Sequence, residues 1–428
     1  MTKERIILGL FVICNLMAIS GNSAYFKEID EVIAGNWSGA GAREMAMGGT
    51  GLMTIDGIAL FYNPANLARI PRIELSLGMS YQKFKNEIQT RGIGSGEFYR
   101  MNDTKNNTRI NSALLAVPYP TYRGSFVIGF GMARLSDFDR ISKFYYEETN
   151  GSATTSSVEQ AFESGGLNQW GVGAGIDLSP RVAFGGALFL YSGKHDFNLE
   201  SDLYSSGLVT DSYEQLLQYD YLGIGGKIGM AFQMSRNVGL GMTIEAPVSL
   251  RVKQNGSQIT NADVEYYPTA EYDLKRPYVF SAGVITRFGY FTFTADADYT
   301  DWSELAYSDN PEMEVKYNKE FKDAYREVIR FRIGGEYVFP MTGLSLRAGY
   351  FNDPLPYRNT ESFSRDTRQG FSVGLGFLID QVMMIDVAYV RGNYGDEYVL
   401  ESSDFNSDIV LTEDIDYNRV YLTASYRF

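Results

Sequence analysis

The segment "RIELSLGMSY" sets Ile73, Leu75, Leu77, Met79 and Tyr81 on one face and Glu74, Ser76, Gly78 and Ser80 on the other, a period of two. The same alternation returns in "SFVIGFGMARL" (Phe126, Ile128, Phe130, Met132), in "QWGVGAGIDL" (Trp170, Val172, Ala174, Ile176, Leu178) and in "YFTFTADADYT" (Phe291, Phe293, Ala295, Ala297, Tyr299). It is there again in "RFRIGGEYV", where Phe331, Ile333 and Tyr337 oppose Arg332 and Glu336. We read 14 strands, at 72–85, 109–118, 124–135, 169–178, 181–193, 217–233, 237–254, 277–287, 290–301, 327–338, 343–351, 369–379, 382–391 and 419–428. The connections alternate without exception. Long polar ones fall at 86–108, 136–168, 194–216, 255–276, 302–326, 352–368 and 392–418. Short ones fall at 119–123, 179–180, 234–236, 288–289, 339–342 and 380–381, so both ends of the sheet lie on the short-turn side. Pro247 interrupts the strand 237–254, which is read as one kinked strand because two strands would break the parity.

Beyond the first residues there is no run of roughly 18 apolar residues, so no helix can span a bilayer. A closed sheet can, because its apolar face occupies alternate residues and every backbone group is paired. The chain holds 31 Tyr, 27 Phe and 44 Gly, which suits packed strands and interfacial rings. The expected fold is therefore all-β: a 14-stranded antiparallel transmembrane β-barrel over 72–428. The alternating "VYLTASYRF" ends on Phe428, as the assembly signal of Gram-negative outer-membrane barrels does. The expected location is that outer membrane, among its lipid and lipopolysaccharide, with extracellular long loops and periplasmic termini.

At the other end, Lys3 and Arg5 precede an apolar stretch from Ile6 to Ile19 and an exit in "GNSA", the order of a secretory signal peptide over 1–24. The only cysteine, Cys14, lies within it, which leaves no disulfide framework. Removing Lys3, Glu4 and Arg5 with the signal takes the formal net charge from −14 to about −15. Such a balance argues against a nucleic-acid partner, since a phosphate backbone needs a positive surface.

Residues 25–71 stay outside the wall. Met45, Met47, Leu52, Met53, Ile58, Leu60 and Phe61 would be exposed if this glycine-rich segment hung free, and the lumen is the nearest cover. The segment is read as an N-terminal plug. In its stretch "GAREMAMGGTG…DGIALFYNPANLA", together with "ADADYTDWSEL", "FRIGGEYVF", "LSLRAGYFNDPLPY" and "GFSVGLGFLIDQVMMIDVAYV", the chain resembles the FadL/TodX family of outer-membrane channels for long-chain fatty acids and aromatic hydrocarbons. The resemblance spans nearly the whole chain. It implies a 14-stranded barrel with a hatch, in which Gly48, Gly49, Asn63, Pro64 and Ala65 belong to the gating element. Taken without the family, Asn63-Pro64-Ala65 reads as a capped turn. The sequence departs from the family at "GARE" and at Asn66, where glycine is usual.

The polar strand faces carry Glu74, Lys227, Arg287, Asp296, Asp298, Arg330, Arg332, Glu336, Arg347, Asp386 and Arg427. With the apolar faces in lipid these charges enter the lumen and must be paired. They read either as a salt-bridge network that holds the plug or, for Arg330, Arg332 or Arg347, as contacts to a carboxylate head group. His195, the only histidine, stands beside Asp196, but no second constellation makes a catalytic site, and "GIGGKIG" lies within a strand. The acidic connection 392–418, with Asp396, Glu397, Glu401, Asp404, Asp408, Glu413, Asp414 and Asp416, is either solvated or bridged by divalent cations, Ca²⁺ or Mg²⁺. "SSVEQAFES" (156–164) and "YNKEFKDAYREV" (317–328) have helical spacing and are expected to cover the barrel mouth.

These readings together imply a passive channel, without enzymatic activity or cofactor, for a hydrophobic small-molecule ligand. Long-chain fatty acids are the leading class. The alternative is a PorV-like secretion partner that binds a protein through its loops.

Overall fold

The computed structural model describes residues 38–92, 98–150, 153–205, 207–261, 263–356, 367–400 and 409–428. The leader read over 1–24 and the first part of the segment read over 25–71 lie outside them. The wall begins with β1 (Glu74–Gly92), β2 (Phe98–Tyr119), β3 (Phe126–Asp137), β4 (Arg140–Asn150), β5 (Ala153–Ser179) and β6 (Val182–Ser205). It continues through β7 (Leu208–Gln233), β8 (Val238–Glu245), β9 (Val248–Thr260), β10 (Asp263–Arg276), β11 (Val279–Phe288) and β12 (Phe291–Asp301). The last part holds β13 (Ala306–Ser308), β14 (Glu327–Val338), β15 (Leu344–Pro354), β16 (Thr367–Ile379), β17 (Met383–Leu400) and β18 (Ile409–Arg427). Four pairs of segments, β3 with β4, β8 with β9, β10 with β11 and β12 with β13, are single staves interrupted once, so the 18 segments form a closed antiparallel barrel of 14 staves. β1 pairs with β18 from Glu74↔Arg427 to Gly92↔Ile409, and that ladder closes the ring.

Two of the interruptions have a visible cause. Pro247 separates β8 from β9, and Pro277 separates β10 from β11, each removing a donor from the ladder. The kinked-strand reading of 237–254 therefore holds, with Ala246 N still donating to Gly226 O at 2.9 Å across the kink. The short turns are tight: Asp380 and Gln381 both take positive φ, 49° and 56°, as a two-residue hairpin of matching twist requires.

The period of two sorts the side chains as the sequence indicates. Leu75 and Leu77 are 51% and 52% exposed while Glu74 between wall and lumen is 1% exposed. Leu115, Phe130, Trp170, Val172, Leu188, Ile224, Phe293, Phe331, Val373 and Leu422 continue an outward apolar belt round the ring. Tyr119, Tyr122, Phe288, Tyr290 and Phe428 stand exposed at its short-turn border, where rings of amphipathic shape meet the membrane interface.

Three sequence expectations are corrected. The polar stretches read as long loops are in large part continued strand, since β1, β2, β5, β6, β7, β9, β10, β17 and β18 all run past the belt. Beyond hydrocarbon the outward face meets water, so the apolar alternation that marks a strand disappears while the hydrogen-bonded ladder goes on. Residues 156–164 are not helical: they lie in β5, paired with β6 through Glu159↔Ser201 and Phe162↔Asn198. Glu413 of the acidic connection is no surface carboxylate but is fully buried against Arg140 and Asn86. The second amphipathic stretch does form a helix, displaced to Pro311–Ala324, with proline in its first turn and with Phe321 buried beneath it.

Candidate luminal site

Residues 38–72 run through the inside of the ring. They form two short helices, α1 (Ala42–Ala46) and α2 (Ala59–Tyr62), and a 3₁₀ turn over Pro64–Arg69. Asn63 caps that turn by accepting from Ala65 N at 3.1 Å, with Pro64 at its first position, where a missing N–H costs nothing. Gly48 and Gly49 close α1 with φ of 75° and 84°, and Gly49 N donates to Glu44 O.

The segment's polar contacts reach staves on all sides. Ser38 N donates to Leu135 O at 2.9 Å, Ala42 N to Thr423 Oγ1 at 2.9 Å and Gly48 N to Ser372 Oγ at 2.9 Å. Gly51 N and Leu52 N donate to Asp296 Oδ2 at 2.7 and 3.0 Å, while Lys227 Nζ donates to Phe61 O at 2.7 Å. Wall glycines permit the approach. A Cβ at Gly349 would lie 2.1 Å from Gly48 N, and one at Gly185 would lie 2.4 Å from Ala65 N.

Every charge read onto the lumen face lies inside the ring, and most are paired. Arg43 clasps Glu336 with both Nε and Nη2, at 3.1 and 3.0 Å. Glu336 also accepts from Arg347 at 2.7 Å, and Arg347, 1% exposed in its side chain, bonds onward to Asp386 at 2.6 Å. Arg332 meets Asp298 at 2.6 Å and Arg330 meets Asp353 at 2.6 Å. Glu74 accepts from Gly57 N at 2.9 Å and pairs with Arg427 at 2.8 Å. Burial, and next the charge of Asp56, holds the Glu44 carboxyl well above the usual carboxylate range. Burial and then Glu74 push Asp56 up to about 6. Thr54 Oγ1 lies between these two acids.

Two cavities of about 120 Å³ each border the segment. The first, toward the long hairpins, is lined by Leu52, Phe61, Tyr62, Leu135 and Val279 beside Arg134, Lys227, Arg276, Asp296, Asp298, Arg330 and Arg332. Arg347 is not among its walls. The second, toward the short turns, is lined by Arg43, Met47, Met53, Ile285, Arg287, Thr294 and Glu336. Arg276, which sequence reasoning did not single out, has its Nη1 buried without a hydrogen-bond partner.

Further toward the long hairpins, inward side chains pack around the only histidine. His195 is 1% exposed, bonded to Glu163 at 3.1 Å and flanked by Phe138 and Tyr219. Stave three leaves the wall at Phe138–Asp139: β2 pairs with β3 only from Ser112 to Tyr119, and β4 runs inward, where Asn86 donates to Ile141 O. Asp139 holds the bend through Arg109 at 3.0 Å and Asn107 at 2.6 Å. Among the described residues no cluster of three or more His, Cys, Asp or Glu is placed to hold a metal ion.

A closed barrel with a lipid-facing belt, an inward charge network and a chain segment threaded through its bore defines an outer-membrane transport barrel. The sequence matches the family described as outer membrane protein transport protein (OMPP1/FadL/TodX) over residues 31–428, and the chain belongs to that family. Its fold is similar to that of a Pseudomonas aeruginosa FadL homologue, at 15% identity and a TM-score of 0.64 over 93% of this chain and 100% of that one. It is similar also to the P. putida toluene transporter TodX, at 16% identity and a TM-score of 0.58 over 92% and 99% of the two chains. The Ralstonia pickettii toluene transporter TbuX gives 14% identity and a TM-score of 0.57, again over 92% and 99%. No curated protein sequence matches the chain. Members of this family are transport proteins of the Gram-negative outer membrane, and the protein is not an enzyme.

Proposed function

We propose that the protein is a passive channel for hydrophobic small molecules with an acidic head, long-chain fatty acids being the class that fits best, and that residues 25–71 act as its plug. The observation that carries this reading is the mixed lining of the first cavity, where Phe61, Leu52, Leu135 and Val279 adjoin Arg134, Lys227 and Arg276. An apolar tail is favoured by the first set and a carboxylate by Arg276, since Lys227 is already paired with Glu245 at 3.0 Å and Arg134 with Asp137. Arg330, Arg332 and Arg347 each have carboxylate partners already, so the head-group role falls to Arg276. The long hairpins face the cell exterior and both termini the periplasm, as the parity of outer-membrane barrels implies. Family membership and the likeness to hydrocarbon and FadL-type channels support the class of ligand.

The test is binding of a fluorescent long-chain fatty acid to the purified protein in detergent. Arg276→Gln should weaken it by about tenfold, the loss of one charge-assisted hydrogen bond, and leave toluene binding unchanged. Absence of fatty-acid binding by the wild type, with a protein retained on its hairpins, would return the secretion-partner reading.

A further inference from the structure

The second cavity carries a charge that the luminal network leaves over. Arg287, inward on β11, lines it beside Thr292 and Thr294 of β12 and the apolar Met47, Met53 and Ile285. The register sets Arg287 opposite Thr292 and Ile285 opposite Thr294, so the guanidinium and the two hydroxyls stand on adjoining strands of one wall. Among the described residues, none of these three side chains has a hydrogen-bond or ion-pair partner.

The nearest acid is already taken. Glu336 lies across Thr292 on β14 and lines the same cavity, but its carboxylate accepts from Arg43 at 3.1 and 3.0 Å and from Arg347 at 2.7 Å. The other charges that act on Arg287 are those of Arg43 and Arg69, both cations, and Arg69 donates to the neutral Gln233 Oε1 at 3.3 Å. A half-buried cation without a counter-charge is costly, and a bound anion would offset that cost. The place is also separate from the first cavity. β11, a strand of 10 residues and so roughly 33 Å long, runs between Arg276 and Arg287, and one acidic head cannot meet both.

We propose that Arg287, Thr292 and Thr294 form a second carboxylate site, at the short-turn end of the bore, for an acid whose apolar chain lies along Met47, Met53 and Ile285. The guanidinium supplies a two-pronged, charge-assisted hydrogen bond and the hydroxyls add neutral donors, a set that a carboxylate accepts from. The apolar neighbours favour an acid with a chain over a bare anion. The inference rests on the ligand class assigned above and gives that ligand a second place to stop.

The test is NMR of oleate labelled with ¹³C at its carboxyl, titrated into the full chain in detergent, with the barrel's fold checked by heat-modifiable migration. The wild type should show two protein-dependent carboxylate resonances. Arg287→Gln should weaken the binding behind one of them by about tenfold and leave the other, which answers to Arg276→Gln. Arg287→Lys should retain part of the lost affinity, while the double variant Thr292→Val, Thr294→Val should weaken the same resonance by about tenfold with the charge still in place. A single resonance that answers to Arg276 and not to Arg287 would overturn the second site and leave the head-group role of Arg276 standing. A resonance that answers to Arg287 alone would do the reverse, and no protein-dependent resonance would overturn both. Displacement of the Arg287-dependent resonance by an equal concentration of inorganic phosphate would make this a phosphate site and overturn its assignment to an acidic amphiphile.

Discussion

At the scale of single residues, the interior of this barrel is decided by which charges meet. Arg347 bridges Glu336 and Asp386, and Glu336 in turn holds Arg43 of the segment, so one guanidinium neutralises two buried carboxylates. Arg347→Met should leave Asp386 without its cation and Glu336 with Arg43 alone, and lower stability by about 3–5 kcal/mol, read from denaturant unfolding in detergent. Asp56 gives the opposite dependence to a salt-bridged acid. Its carboxyl titrates near 6 in the folded protein against 3.8 ordinarily, because burial and the charge of Glu74 oppose ionisation. The folded state therefore binds the proton more tightly, and this contribution is present at low pH and lost as the pH rises through about 6. Glu44, Thr54, Arg43 and Glu74 share the site, so the wild type's denaturant midpoint should fall between about pH 4 and pH 6.5, and Asp56→Asn should remove much of that slope. An unchanged slope in the variant would assign the effect to other groups. The inward direction of these charges was legible from the period of two. Their partners were not, because Glu336 is 293 positions from Arg43, and only closure of the ring brings them together.

Among the elements, the strand cores at Ile73–Tyr81 or Phe291–Tyr299 announced themselves because one face needs hydrocarbon. The extensions did not, because pairing alone holds them: β5 begins at Ala153, and the expected strand begins at 169. Residues 156–164 carry a helical spacing, yet Glu159, Ala161 and Glu163 share an inward face and β6 supplies the ladder. Tertiary pairing outweighed local pattern. The bend in stave three was invisible for the same reason, since Asp139 reads as an ordinary loop carboxylate until Arg109 and Asn107 close on it. Asp139→Ala should free β4 from that anchor. Amide protection should then drop in 140–150 and persist along the β5–β6 ladder, measured by hydrogen exchange. Equal loss in both would show that the bend is not an independent unit.

For the whole molecule, the outward belt dictates the solvent. Leu77→Arg places a cation in the band occupied by Leu75, Met79 and Leu422 and should cost about 2–4 kcal/mol, read from unfolding in lipid vesicles. Ser76→Thr, one residue away on the lumen side, should cost far less. By itself the sequence determined the number of staves, the parity of their connections and the face each side chain presents, because hydrophobic alternation is a local property that a membrane reads strand by strand. The tertiary structure alone decided where residues 38–72 lie against the wall, which acid each arginine answers and where the bore is interrupted. Those depend on distances across a closed ring, and no spacing along the chain encodes them.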